Sequence, residues 1–347
     1  MQTTVTKGQV NHAGKVLCGG TASPDKLKEA GTVLAAWRSR HAAPLTAVYG
    51  LLRSRCGADK ARSAALAACR LKRMPSIIDK LKRNPSMQAG RMQDIGGVRI
   101  IVDTVQEVYA LHHALAEDKD IGPLLVLPPK DYIARPKPDG YRSLHQILRC
   151  VNDVHPESGA LRIEVQIRTR LQHAWATAVE TLGELEGASF KTGEGTETAK
   201  RFFQTASALF ALDEGQPLPP SCAGLPPKDL VREFKELDIQ IGASAKLKAA
   251  GLRQLPKTDG FQKNSMHLLV LDVCPDGTPQ LSIQGYDGLA AANAAYSRLE
   301  SQTKDDPSVY VLLMAADIAR LQQAYPNYCL DASLFLENSR RACSKYS

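Results

Sequence analysis

The stretch 161–169, "LRIEVQIRT", alternates without a break: Leu161, Ile163, Val165 and Ile167 fall on one side, Arg162, Glu164, Gln166 and Arg168 on the other. Successive side chains of a strand point to opposite faces, so the stretch predicts a strand with one core face and one face that is wet or functional. A solvated face with cross-strand ion pairs accounts for the pattern by itself. A carboxylate flanked by guanidinium groups can also bind a metal or act as a base beside bound phosphates. Upstream, "VRIIVDT" (98–104) is equally rich in Val and Ile, and "VQEVYALHHALAED" (105–118) has the spacing of an amphipathic helix. "QDIGGVRIIV" puts Asp94 just before that neighbouring strand, where it can meet Glu164 across the sheet. Two carboxylates among cations suit Mg²⁺ with a nucleoside triphosphate.

Further out, apolar residues recur every three or four positions from 25 to about 83, which predicts packed helices there. Within that span "CRLKRMPSIIDKLKR" sets Arg70, Lys72, Ser76 and Lys80 at helix-compatible spacings around a start at Met74–Pro75–Ser76. A helix start is a place suited to phosphate, although a solvated basic helix has the same pattern. Between the two strands, "KDYIARPKPDGYRSLHQI" (130–147) reads as a loop running into a strand. Lys130, Arg135 and Lys137 can reach phosphates there, and Tyr141, after the flexible Gly140, can lay its ring on a nucleobase or simply pack the loop. The Pro- and Gly-dense stretch 213–229 predicts a linker. Beyond it come a helical stretch, strands at 267–273, 281–286 and 308–315, a helix over 288–301 and two short helices.

The 347 residues carry a formal charge of +8, which points to polyanionic partners without choosing among nucleotides, nucleic acid and anionic membrane. The eight cysteines never form a C-x-x-C pair, which excludes a zinc ribbon or a dithiol redox site and predicts reduced thiols. With no signal-peptide core and no long apolar run, the expectation is a cytoplasmic protein that does not span a membrane.

The order of these segments resembles the RelA/SpoT nucleotidyltransferase domain of alarmone synthetases. "DIGGVRIIV", "KDYIARPKPDGYRSLH" and "IEVQIRTRLQHAWA" are similar to three of its motifs, over roughly residues 60 to 190. The resemblance implies an α/β (α+β) fold, a mixed sheet flanked by helices. It also implies Mg²⁺-dependent transfer of the β,γ-pyrophosphate of ATP to a ribose 3′-hydroxyl. Arg70, Lys72, Ser76 and Lys80 would bind the ATP phosphates, Asp94 would hold Mg²⁺ with Arg99 in support, and Glu164 would bind the metal or activate the hydroxyl. Lys130, Lys137, Tyr141, His145, Gln166 and Arg168 would bind the acceptor, with Tyr141 stacking. No His-Asp dipeptide occurs, so a synthetase without the family's hydrolase is expected.

The acceptor expected is the 3′-terminal adenosine of tRNA, with a free nucleotide (GDP, GTP or an adenine nucleotide) as the alternative. For tRNA, Arg53, Arg55, Lys60 and Arg62, outside the pocket, would touch the acceptor-stem backbone. The division expected is 1–212 for the synthetase domain, 213–259 for linker and helix, and 260–347 for a smaller α/β regulatory domain. In the last, Tyr325–Pro326–Asn327–Tyr328 resembles the Y-x-x-Y motif of antitoxin parts fused to such enzymes, the CapRel type of phage-defence toxin. That likeness implies that Tyr325 and Tyr328 block the ATP site until a phage protein releases them. A helix stopped by Pro326 over two packed tyrosines is the plainer reading.

Overall fold

The computed structural model describes residues 5–58, 65–117, 124–150, 161–187, 195–251, 266–273, 279–287, 289–302, 310–315 and 332–347. Helices α1 (Lys7–Cys18), α2 (Pro24–Ser39) and α3 (Ala42–Ala58) lead into strand β1 (Leu66–Leu71) and helix α4 (Met74–Arg83). The middle of the chain runs β2 (Gly96–Val102), α5 (Val105–Ala116), β3 (Leu124–Val126), β4 (Lys130–Asp131), β5 (Leu144–Cys150) and β6 (Leu161–Thr169). Four helices follow: α6 (Arg170–Glu186), α7 (Glu197–Glu214), α8 (Pro227–Ile241) and α9 (Ala243–Gly251). The last elements are β7 (Met266–Val273), β8 (Pro279–Tyr286), α10 (Leu289–Gln302), β9 (Tyr310–Ala315) and α11 (Ser333–Tyr346).

The strands form one nine-stranded mixed sheet in the order β3-β5-β6-β2-β1-β9-β7-β8, with β4 beside β5. Its centre is the parallel pair β2–β6, in which Gly97 lies opposite Glu164 and Arg99 opposite Gln166. The other pairings are antiparallel, including β5–β6, where His145 faces Gln166. The alternation of 161–169 is borne out: Ile163, Val165 and Ile167 are buried with Val98, Ile100, Leu144 and Leu148 against α3 and α5. The opposite face carries Arg70, Arg99, Glu164, Gln166 and Arg168, with α4, α6 and α7 around it.

The helical expectation for 25–83 needs one correction. Residues 66–71 are strand β1, so Arg70 sits on a strand and only Lys72 onward approaches α4. The apolar positions 66, 68, 69 and 71 fit either period. Pairing decides it: β2 bonds the whole length of β1 on one side, from Leu66↔Ile101 to Leu71↔Gly96, and β9 borders it on the other at Cys69 and Arg70. The helix start at Met74 with Pro75 in the first turn is as expected.

Residues 213–229 join α7 to α8 through a short 3₁₀ turn, and Leu218, Cys222 and Leu225 pack into the helical core. Phe335 of α11 lies in that core, its ring centroid 5.6 Å from Phe210 and 6.1 Å from Phe203. The cysteines described, Cys18, Cys56, Cys69, Cys150, Cys222 and Cys343, are free thiols. No helix among the described residues is long and apolar enough to cross a membrane.

Glu214, the last residue of α7, ties the layers together. Its buried carboxylate pairs with Arg142 Nη1 at 2.7 Å, accepts from Gln172 Nε2 at 3.1 Å and is bonded by Thr169 Oγ1, the N-cap of α6. The Arg142 and Glu214 side chains are only 2% and 7% exposed, so removing one partner strands a buried charge. Arg142→Ala is expected to cost about 3–5 kcal/mol in urea denaturation, and Arg142→Met combined with Glu214→Gln to recover most of that.

Candidate active site

The polar face of the sheet opens into a cleft of about 400 Å³. Asp94, Arg70, Lys72, Lys80 and Arg99 line one part of it, and Glu164, Lys130, Lys137, Tyr141, His145, Gln166 and Arg168 the other. Ser76, in the first turn of α4, and the exposed Arg135 are not lining residues. Arg53 and Arg55 extend from α3, which packs on the opposite face of the sheet, and neither lines the cleft. Lys60, Arg62, Tyr325 and Tyr328 lie outside the described residues.

On the cationic side, Asp94 Oδ2 accepts from Lys80 Nζ at 2.8 Å and Lys72 Nζ at 3.1 Å. Burial alone would raise the Asp94 carboxyl, but the two ammonium groups overcome it and hold the group down at about 2. The same burial lowers the Lys72 ammonium; Asp94 opposes this, and Arg70 and Lys80 add to it. One carboxylate thus answers a surplus of cations. Its second oxygen, Oδ1, is buried without a hydrogen-bond partner. An acceptor-only atom in that state suits a cation, and Asp94 is the residue that would hold Mg²⁺.

On the other side the side chains close a ring of hydrogen bonds. Glu164 Oε1 meets His145 Nδ1 at 3.1 Å, and Glu164 Oε2 accepts from Gln166 Nε2 at 2.8 Å. His145 Nε2 lies 2.8 Å from the Tyr141 hydroxyl, which accepts from Arg168 Nη2 at 3.3 Å; Arg168 also donates to Gln166 Oε1. Burial pushes the Glu164 carboxyl up and Asp94 adds to that, yet His145 and Gln166 prevail and leave it below its ordinary range. Glu164 is therefore ionised and locked in orientation.

Local chemistry shapes the loop that carries this side. Asp131 Oδ1 accepts from the Ile133 and Ala134 N–H groups at 2.9 Å each, and Asp139 Oδ1 accepts from Tyr141 N at 2.9 Å. Gly140 has φ +93°, and a Cβ there would meet Ser207 Cβ at 3.0 Å and Trp175 Cζ2 at 3.1 Å. Reasoning from sequence passed over Tyr132, Trp175, Lys200 and Phe203, all of which line the cleft. Tyr132 was legible as the second ring of the loop; its centroid is 6.0 Å from that of Tyr141, and Lys137 Nζ sits 4.6 Å and 4.9 Å from the two. Lys200 and Phe203 come from α7, and nothing in their local sequence points to a cleft.

Residues 69–182 match the region found in RelA/SpoT proteins. Within and around that RelA/SpoT region, the chain is 34% identical over 113 residues to the GTP pyrophosphokinase YwaC of Bacillus subtilis, covering 31% of this chain and 52% of that protein. The GTP pyrophosphokinase YjbM of the same organism is 35% identical over 150 residues, 42% of this chain and 66% of that protein. The crystal structure of small alarmone synthetase 2 from Bacillus subtilis matches at 22% identity and a TM-score of 0.41, covering 51% of this chain and 93% of that one. The chain spans between half and two thirds of the two curated relatives' length.

A carboxyl held at about 2 against an ordinary 3.8 contributes stability that is complete above the ordinary value and lost as pH falls through the folded one. For Asp94 this amounts to about 2 kcal/mol. Urea denaturation between about pH 5 and pH 2.5 is expected to show the wild type losing about 1.5 kcal/mol more than Asp94→Asn.

Proposed function

We propose that the chain is a Mg²⁺-dependent pyrophosphokinase that moves the β,γ-pyrophosphate of ATP to the 3′-hydroxyl of a ribose. The observation that carries this reading is the meeting of Asp94 and Glu164 in one cleft, between a cationic wall and a wall of aromatic rings. The names of YwaC and YjbM as GTP pyrophosphokinases support it.

In this reading Arg70, Lys72 and Lys80 bind the triphosphate, whose charge offsets their own surplus and whose transferring group they stabilise. Asp94 would hold the metal, which when bound would supply positive charge against the charge that develops on the transferring phosphates. No group of three or more His, Cys, Asp or Glu gathers among the described residues, so substrate phosphates and water would complete the shell. Glu164, oriented by His145 and Gln166, aligns the acceptor hydroxyl. Its lowered pKa makes it a modest base, which suits a loose transition state that asks more for positioning than for proton abstraction. Tyr132 and Tyr141 offer the acceptor base its stacking partners.

For the acceptor, the relatives' names favour a free guanine nucleotide. The second reading, the 3′-terminal adenosine of tRNA, gains from a cationic surface on the same sheet face, described below. A toxin held silent by Tyr325 and Tyr328 and released by a phage protein belongs with that second reading.

Incubation with γ-³²P-ATP and Mg²⁺ in the presence of GDP, GTP, AMP, ADP or bulk tRNA tests both. Label is expected on one acceptor class, and Glu164→Gln is expected to lower transfer by about 10²–10⁴-fold with the folded state intact. Transfer by Glu164→Gln at the wild-type rate, or no label on any acceptor, would overturn the assignment.

A further inference from the structure

Beyond Glu164, towards the start of β6, the polar face of the sheet ends in cations. Arg149 of β5 and Arg162 of β6 are direct cross-strand partners. Arg162 is two residues from Glu164, so both arginines project to the face that carries the cleft. Arg162 Nη1 donates to the Arg91 carbonyl at 3.4 Å. Next to Arg91, the stem of Lys7 packs on Gly90: a Cβ there would lie 3.3 Å from Lys7 Cγ, and the Gly90 N–H donates to Asn11 Oδ1 at 2.9 Å. Lys7, Arg91, Arg149 and Arg162 therefore make one patch. Among the described residues no ion pair joins any of the four to a carboxylate. The Lys7 ammonium is lowered, by burial first and then by the three arginines.

Like charges directly opposite in an antiparallel pair destabilise it. Four cations that no described carboxylate pairs with gain from a polyanion that neutralises them. Arg91 and Arg149 are exposed and Lys7 and Arg162 half-buried, so the patch is an open surface. Small molecules are bound in enclosing cavities, whereas an extended phosphate backbone needs only exposed cations along its path. Same-face positions on a strand repeat about every 7 Å, so Arg162 stands one such step from Glu164, on the side away from Gln166.

We propose that Lys7, Arg91, Arg149 and Arg162 form a docking surface for the phosphate backbone of an RNA strand that runs along the sheet face to the cleft. Only the destination of the strand's 3′ end rests on the pyrophosphokinase reading; docking itself needs no catalysis.

Fluorescence anisotropy of the full-length protein with a labelled single-stranded RNA of about 20 nucleotides, between about 50 and 200 mM salt, tests it. Arg149→Gln combined with Arg162→Gln is expected to weaken RNA binding about tenfold and to reduce the log–log salt slope by roughly 1.4. The same pair should raise the melting temperature, because it removes the cross-strand repulsion, and leave ATP binding by calorimetry unchanged. Equal RNA affinity and slope in wild type and variant would overturn the proposal. So would a wild type that ignores RNA but is stabilised by inorganic tripolyphosphate through these arginines, which would mark a small-anion site. RNA binding through the patch with no label transferred to any acceptor would instead refute the pyrophosphokinase reading and leave the docking surface standing.

Discussion

The parallel ladder between β2 and β6 is the constraint from which the site follows. It sets Gly97 opposite Glu164, and Asp94 stands three residues ahead of Gly97 at the strand's entrance. With no side chain at Gly97, the space in front of the Glu164 carboxylate is left to the cleft, whose wall Gly97 forms. Parallel neighbours cannot be joined by a tight turn, so the chain between them is long. That connection contains α5, the basic aromatic loop and β5, and β5 returns antiparallel to β6 to bring His145 beside Gln166. The aromatic wall of the cleft is a consequence of the crossover.

Charge divides the cleft into two halves that hold their carboxylates differently. Asp94 is fixed by excess: Lys72 and Lys80 share one of its oxygens while the other stays unmet. Glu164 is fixed by direction, through neutral and ring donors that close on themselves through Tyr141 and Arg168. In the proposed reaction, the half rich in cations would stabilise charge that moves, and the half rich in oriented hydrogen bonds would position the group that receives it.

The last third of the chain reaches this site from behind. Strand β9 pairs with β1 at Cys69 and Arg70. Tyr296 of α10 lies 4.1 Å from the Arg38 guanidinium, and Arg38 Nε donates to the Lys72 carbonyl at 2.7 Å. The Lys72 N–H in turn donates to the carbonyl of Ile95, the neighbour of Asp94, at 2.8 Å. Residues more than two hundred positions away in sequence thus bear on the turn that aims Lys72.

Period and local chemistry were enough for β6, β2, α5 and the start of α4, because alternation, amphipathic spacing and a proline in a first helical turn are properties of neighbouring residues. They marked Asp94, Glu164 and the basic loop only as candidates, because a solvated sheet face or a packed loop has the same local pattern; the structure brings them to one cleft. Strand β1 was not legible, since "LAACRL" satisfies both periods and only its partners β2 and β9 choose between them. Nor were Lys200 and Phe203, which reach the cleft because Gly140 and Trp175 pack against α7, a contact between segments far apart in the chain. Sequence determined which groups the protein carries and which segments could be strands. The tertiary structure alone decided which of those groups share one face, because facing is set by register between distant strands, and register is a property of pairs.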